Sequence, residues 1–285
     1  MTQTTRPAAQ SPAIDDALCR CVLYEALALG LYTPRRESVE RLRSAATRAA
    51  LLDAAQHIEG RDPAAGPDTA AKRARAALDD GAPLLGRDVE ALTTFLAGEL
   101  ELEKLLEMHG RLFGHTARGA VCPYESEFGA ETHFQQTARL ANIGGFYAAF
   151  GLKLGEHTKE RIDHVCSELE FLGFLARKEA YALRQREDAM LAETRKAARL
   201  FLRDHLGRFG RAFAQELSRE DRDGFYGRLA DVLFDFVTLE SARVGVQAGP
   251  SFVTPRPAEE EDVSMECGSC DPRGCDVPEV PAGPS

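Results

Sequence analysis

Three clusters in this chain have the residue types and spacing to do chemistry. The first is His109, Gly110, Arg111, Leu112, Phe113 and Gly114, followed eight residues later by Cys122, Pro123, Tyr124, Glu125, Ser126, Glu127 and Phe128. The second is Glu160, Arg161, Ile162, Asp163 and His164, with Glu168, Leu169, Glu170, Phe171 and Leu172 behind it. A sparser third is His205, Leu206, Gly207, Arg208 and Phe209. Asp163 and His164 fall at the start of a helical pattern, where the helix dipole favours a carboxylate and an imidazole is free to project into a cleft. A terminal charge beside a satisfied histidine explains the same pair equally well. Tyr124 and Phe128 likewise read either as a binding surface or as aromatics that pin a Pro-containing loop to its core.

A further set of groups lies near the end of the chain, where Cys267, Gly268, Ser269, Cys270 is followed by Cys275. Two thiolates in C-x-x-C can share a metal, and a third soft ligand within reach suits zinc or an iron–sulfur cluster. Against that, no fourth Cys or nearby His completes the set, and the surrounding acids raise the thiol pKa by like-charge repulsion. Incidental thiols, or a redox pair of Cys267 and Cys270, are the alternatives. Several other chemistries are missing their spacings: there is no G-x-x-x-x-G-K-[ST], G-x-G-x-x-G, G-x-S-x-G or H-E-x-x-H. None of the seven His has Glu three residues before it, which removes a helical di-iron site.

The elements that must position these residues are helices. From Ile14 to about Ala248 the chain is rich in Ala, Leu, Glu and Arg, and no strand alternation persists. The spacing predicts a first helix behind Asp15 and Asp16 ending before Pro34, and a second over about 38–58. A breaker follows at Gly60–Pro67, then helices over about 68–79 and 88–112. From Gly114 to Gly129 the period is lost, giving a loop longer than the usual helix connection, whose Val121, Pro123, Tyr124 and Phe128 argue for a packed, functional loop. Helices resume over about 131–150 and from Thr158, taken as the N-cap, to about Arg186. In the latter Ile162, Val165, Leu169, Leu172 and Ala176 make a 3-4-3-4 core stripe. The last helices are expected over about 189–206, 208–217 and 221–246.

The charge is uneven. Pro257–Ser285 holds eight acids against Arg273 alone, so −7 of the net −10 lies there and the body is nearly neutral. Nothing resembles the basic stripe that nucleic acid requires, and basic peptides fit better. No stretch reaches the roughly 18 apolar residues of a membrane span, and Met1–Pro12 lacks the apolar core of a secretory signal. The twin pair Arg35, Arg36 lies mid-chain in a polar helix start. A cytoplasmic location follows, and seven Cys, an odd number, then point to reduced thiols rather than a disulfide framework. Cys19, Cys21 and Cys166 fall in helical patterns as small core residues. The expected organisation is a flexible N-terminus over 1–13, one all-α domain over 14–248 and a Pro-rich, acidic, disordered tail over 249–285.

In order and separation, Leu112-Phe113, then Pro123-Tyr124-Glu125-Ser126-Glu127-Phe128, then Asp163-His164 with Glu168-Leu169 resemble the TorD/DmsD/NarJ family of redox-enzyme maturation chaperones. The chain departs from the family pattern in having His109 for a Tyr, Cys122 for a Pro, Arg161 for a Pro and Phe209 for a Trp. The resemblance implies an all-helical, TorD-like bundle that is not an enzyme and requires no cofactor. It also implies a partner, the catalytic subunit of a molybdopterin oxidoreductase, whose twin-arginine leader or apo form is held until its cofactor is inserted. Either a monomer or a dimer is compatible with this. Phe113, Tyr124 and Phe128 would then wall an apolar groove between the 114–129 loop and the helix beginning near Arg161, with Pro123, Ser126 and Glu168 also binding the client and Asp163 and His164 at its mouth. Asp163, Glu125 and Glu127 would accept from client arginines, and His164 and Glu168 would stand beside them. The alternative reading is a metal or iron–sulfur carrier using Cys267, Cys270 and Cys275.

Overall fold

The computed structural model describes residues 11–60, 84–114, 119–129, 133–153 and 160–253, and these are helical with no strand among them. In chain order they form α1 (Pro12–Leu31), α2 (Arg36–Arg43), α3 (Ala45–Glu59), α4 (Leu85–Ala97) and α5 (Leu102–Phe113). After a 3-10 turn over Glu125–Glu127 come α6 (His133–Ala149), α7 (Val165–Gln185), α8 (Asp188–Asp204), α9 (Leu206–Glu220) and α10 (Phe225–Arg243). The all-α class expected from composition is the one found. None of these helices is long and apolar enough to cross a membrane.

Several boundaries differ from expectation for local reasons. The run over 38–58 is two helices, because Ser44 leaves helical geometry and its hydroxyl accepts from Thr47 N at 3.1 Å, capping α3. The run over 88–112 is also two, interrupted where Gly98 turns extended after α4. α7 starts at Val165 rather than behind Thr158, which lies outside the described residues, as does the helix expected over 68–79. Residues 249–253, assigned from composition to the tail, pack on the body: Gly249 N donates to Gly207 O at 2.7 Å, and Arg211 donates to Gly249 O at 2.8 Å.

The core forms around α1 and α7, which lie against each other, with α3 and α10 also on α1 and α8 on α7. Leu23 and Leu27 of α1 and Val165, Leu169, Leu172 and Ala176 of α7 are buried, so the predicted stripe is core, with Ile162 packed against it from the preceding turn. Burying such side chains contributes roughly 1.5–3 kcal/mol each before entropy is counted. A second layer pairs α9 with α10, and α4 closes over α3 and α10. α6 rests on α7 and α8 through aromatics, with Phe146 5.3 Å from Phe201 and Tyr147 5.0 Å from Phe171 between ring centroids. α5 ends at Gly114, whose φ of 63° suits a residue without Cβ. The chain then returns so that Val121 N meets Leu112 O at 2.8 Å, which delivers residues 121–128 to the start of α7.

Candidate functional site

Residues 121–128 and the start of α7 are joined by backbone. Glu125 N donates to Asp163 O at 3.0 Å and Val165 N to Pro123 O at 2.9 Å, bracketing an antiparallel bridge between Tyr124 and His164. Both ends of the joint are therefore satisfied as a short ladder would satisfy them.

Around this joint sits a charge network. Asp163 is wholly buried, and its carboxylate accepts from Ser126 N at 3.2 Å and from Arg161 twice, Nε to Oδ1 at 3.0 Å and Nη2 to Oδ2 at 2.9 Å. Arg161 also donates to Glu127 Oε1 at 3.3 Å and to the Ser126 hydroxyl, and its guanidinium carbon lies 4.6 Å from the centre of the Tyr124 ring. Glu125, also buried, takes Arg139 Nη1 at 2.6 Å and lies 2.9 Å from His205 Nδ1, while His205 Nε2 meets Asn142 Oδ1 at 2.8 Å. The loop is thus tied to α6 and to the junction of α8 and α9 as well as to α7.

His164 caps α7 through Nδ1, which accepts from Cys166 N at 3.2 Å; that nitrogen is therefore unprotonated and the proton sits on Nε2, facing Glu160 at 3.8 Å. The ring is enclosed by Tyr32 and Tyr124, at 6.2 and 5.3 Å between centroids, and burial lowers its pKa to about 4. Tyr124 donates to Glu160 Oε2 at 3.0 Å; burial, aided by that carboxylate, pushes its phenol up to about 12. Burial likewise pushes the Cys122 thiol up to about 12, which leaves it an unreactive core group. Glu168 is wholly buried, and neither of its oxygens has a well-formed hydrogen bond among the described residues. Burial, then the charges of Glu125 and Asp163, raise its pKa well above the ordinary value.

These positions redistribute the expected roles. Asp163 and His164 are buried beneath the loop. Phe113 is a core residue, 5.6 Å from Tyr226 and 6.4 Å from Phe213 between ring centroids. Beside the loop is a cleft of about 220 Å³ lined by Glu125, Phe128, Arg139, Arg208 and Phe209 and walled by Gln247, Gly249, Pro250 and Val253. Phe128 and Phe209, 5.3 Å apart, form its apolar floor. Arg139 and Asn142, on α6, carried no recognisable motif, and neither did the wall. His205 and Arg208 belonged to the sparsest cluster. Among the described residues no group of three or more His, Cys, Asp or Glu side chains is placed to hold a metal. Cys267, Cys270 and Cys275 lie outside the described residues.

Residues 79–215, which include the loop and most of α7 to α9, match the family model described as nitrate reductase delta subunit. Over this stretch the chain is similar to the TorD/NarJ family. The chain is also similar to a selenate reductase assembly chaperone protein of Thauera selenatis, 37% identical over 109 residues, covering 38% of this chain and 54% of the relative. The chaperone protein TorD of Vibrio parahaemolyticus is 28% identical over 133 residues, 46% of this chain and 60% of the relative. A chlorate reductase assembly chaperone protein of Ideonella dechloratans is 35% identical over 108 residues, 38% of this chain and 54% of the relative. The chain thus spans somewhat more than half the length of these relatives, all of which are named as chaperones. No solved structure matches.

Proposed function

We propose that the chain is a cytoplasmic assembly chaperone for a molybdopterin-containing oxidoreductase, which it holds by the leader or apo form until the cofactor is inserted, delaying export until then. The names of the relatives support the general role. What carries the reading to the loop is its construction: residues 121–128 are held by the Arg139–Glu125 ion pair and by the Ser126 amide on Asp163, while Phe128 lines a cleft with Phe209. A client segment with an apolar stretch would lie on that floor. Its basic residues would meet Glu127 and Glu160, which keep 26% and 33% of their side chains exposed, whereas Asp163 and Glu125 act by shaping the loop.

The test uses Tyr124→Ala and Phe128→Ala with a molybdopterin oxidoreductase that carries a twin-arginine leader. Client maturation should fall more than the fraction of folded chaperone does, because a loop held on a scaffold is a recognition surface. Thermal melting beside a client activity assay separates the two. A loss of activity only in proportion to lost folded chaperone would make the aromatics plain anchors and end the reading.

A further inference from the structure

Arg161 is engaged on every side. Its two donors to Asp163 are bidentate, a third reaches Glu127 and a fourth the Ser126 hydroxyl, and its plane lies on Tyr124. Tyr124, Ser126 and Glu127 are all on the loop, whereas Arg161 and Asp163 lie two residues apart just before α7. The side chain nonetheless keeps 40% of its surface exposed, over a carboxylate that has none. A buried charge with an exposed partner is a joint that closes only while that partner stays. Only a planar fork can reach Asp163, Ser126 and Glu127 at once; an ammonium supplies a point charge.

We infer that Arg161 is a positioning residue that sets the pose of the 121–128 loop and thereby determines which client segments the chain accepts. This rests on the chaperone reading above. With the guanidinium in place, the amides of Glu125 and Val165 stay paired and Phe128 stays on its floor beside Phe209. Without it, Asp163 keeps only the Ser126 amide, and the loop samples poses in which the floor is broken.

The experiment compares wild type, Arg161→Lys and Arg161→Ala for hydrogen exchange at residues 121–128 and 163–165. Alongside this it measures affinity for two peptides, the twin-arginine leader of a molybdopterin oxidoreductase and the leader of an unrelated exported enzyme. Wild type should bind the first and discriminate against the second; if it binds neither, the chaperone reading fails, whatever Arg161 does. Both variants should lose exchange protection at Glu125 and Val165, and discrimination should drop by about tenfold, the equivalent of one charge-assisted hydrogen bond. Guanidinium ion, well below denaturing concentrations, should restore protection and discrimination to Arg161→Ala but not to Arg161→Ala with Asp163→Asn. If Arg161→Ala does not fold, Arg161→Lys carries the test. Wild-type protection and discrimination in Arg161→Lys would overturn the inference.

Discussion

Among single residues the joint carries two titrations of opposite sign. The pKa of His164 is lowered by burial to about 4, below its ordinary value near 6.5, so between those values the unfolded chain binds more protons. Its contribution is intact above pH 6.5 and is lost as pH falls towards 4, up to about 3 kcal/mol by linkage. Glu168, raised well above its ordinary value, behaves in reverse: stability is intact below about pH 4.5 and declines as pH rises. Melting temperatures followed across pH should therefore show His164→Asn, which keeps an N-cap acceptor, with a shallower acid decline than wild type. Glu168→Gln should melt higher than wild type at pH 8, with the gain vanishing near pH 4.5. Parallel profiles for all three proteins would contradict both assignments. That Asp163 and His164 mattered was legible from their place before an apolar stripe. That they lie under the loop was not, because the four partners of Arg161, which ties Asp163 to the loop, are 2 to 37 positions away.

For the helices, what holds α1 on α7 is partly ionic. Arg20 of α1, almost fully buried, donates to Glu179 of α7 at 2.8 Å and lies 3.3 Å from Asp16, and Arg195 of α8 reaches Glu179 at 2.7 Å. Burial alone would push Glu179 up, yet Arg20 and its neighbours hold it down at about 2. Its stabilisation is accordingly present above about pH 4.5 and lost as pH falls towards 2. Arg20→Ala should cost about 3 kcal/mol in denaturant unfolding, since it strands a buried carboxylate, while Arg20→Met with Glu179→Leu should cost far less. Equal costs for the two would show that packing, not charge, sets the interface. The helices themselves were largely readable from period and composition. Their ends were not. Ser44 sits in a run of good helix formers, a lone Gly98 is a weak stop signal, and a histidine capping by Nδ1 is outside the usual Ser, Thr, Asp and Asn set.

Taken whole, the molecule brings its last described residues back to the loop. Arg211 and Gly207 grip Gly249, where an added Cβ would run into the backbone of Arg208, and the segment continues along the cleft to Val253. Composition placed this stretch in the tail because Gly and Pro carry no period, although they also permit close backbone contact. Truncation after Val253 should leave the melting temperature unchanged. If Cys267, Cys270 and Cys275 hold a metal, the anaerobically prepared full chain carries zinc or iron and the truncation loses it; a full chain free of metal after reconstitution rules that site out, and an early-melting truncation refutes the first half. The same return of the chain has an optical use. The sequence has no tryptophan, and Phe252, 63% exposed, stands next to the cleft-lining Val253. Phe252→Trp would give a single indole in water at the edge of the proposed client floor. Its emission would shift to the blue when a tryptophan-free client covers it, so occupancy could be followed in real time without a label.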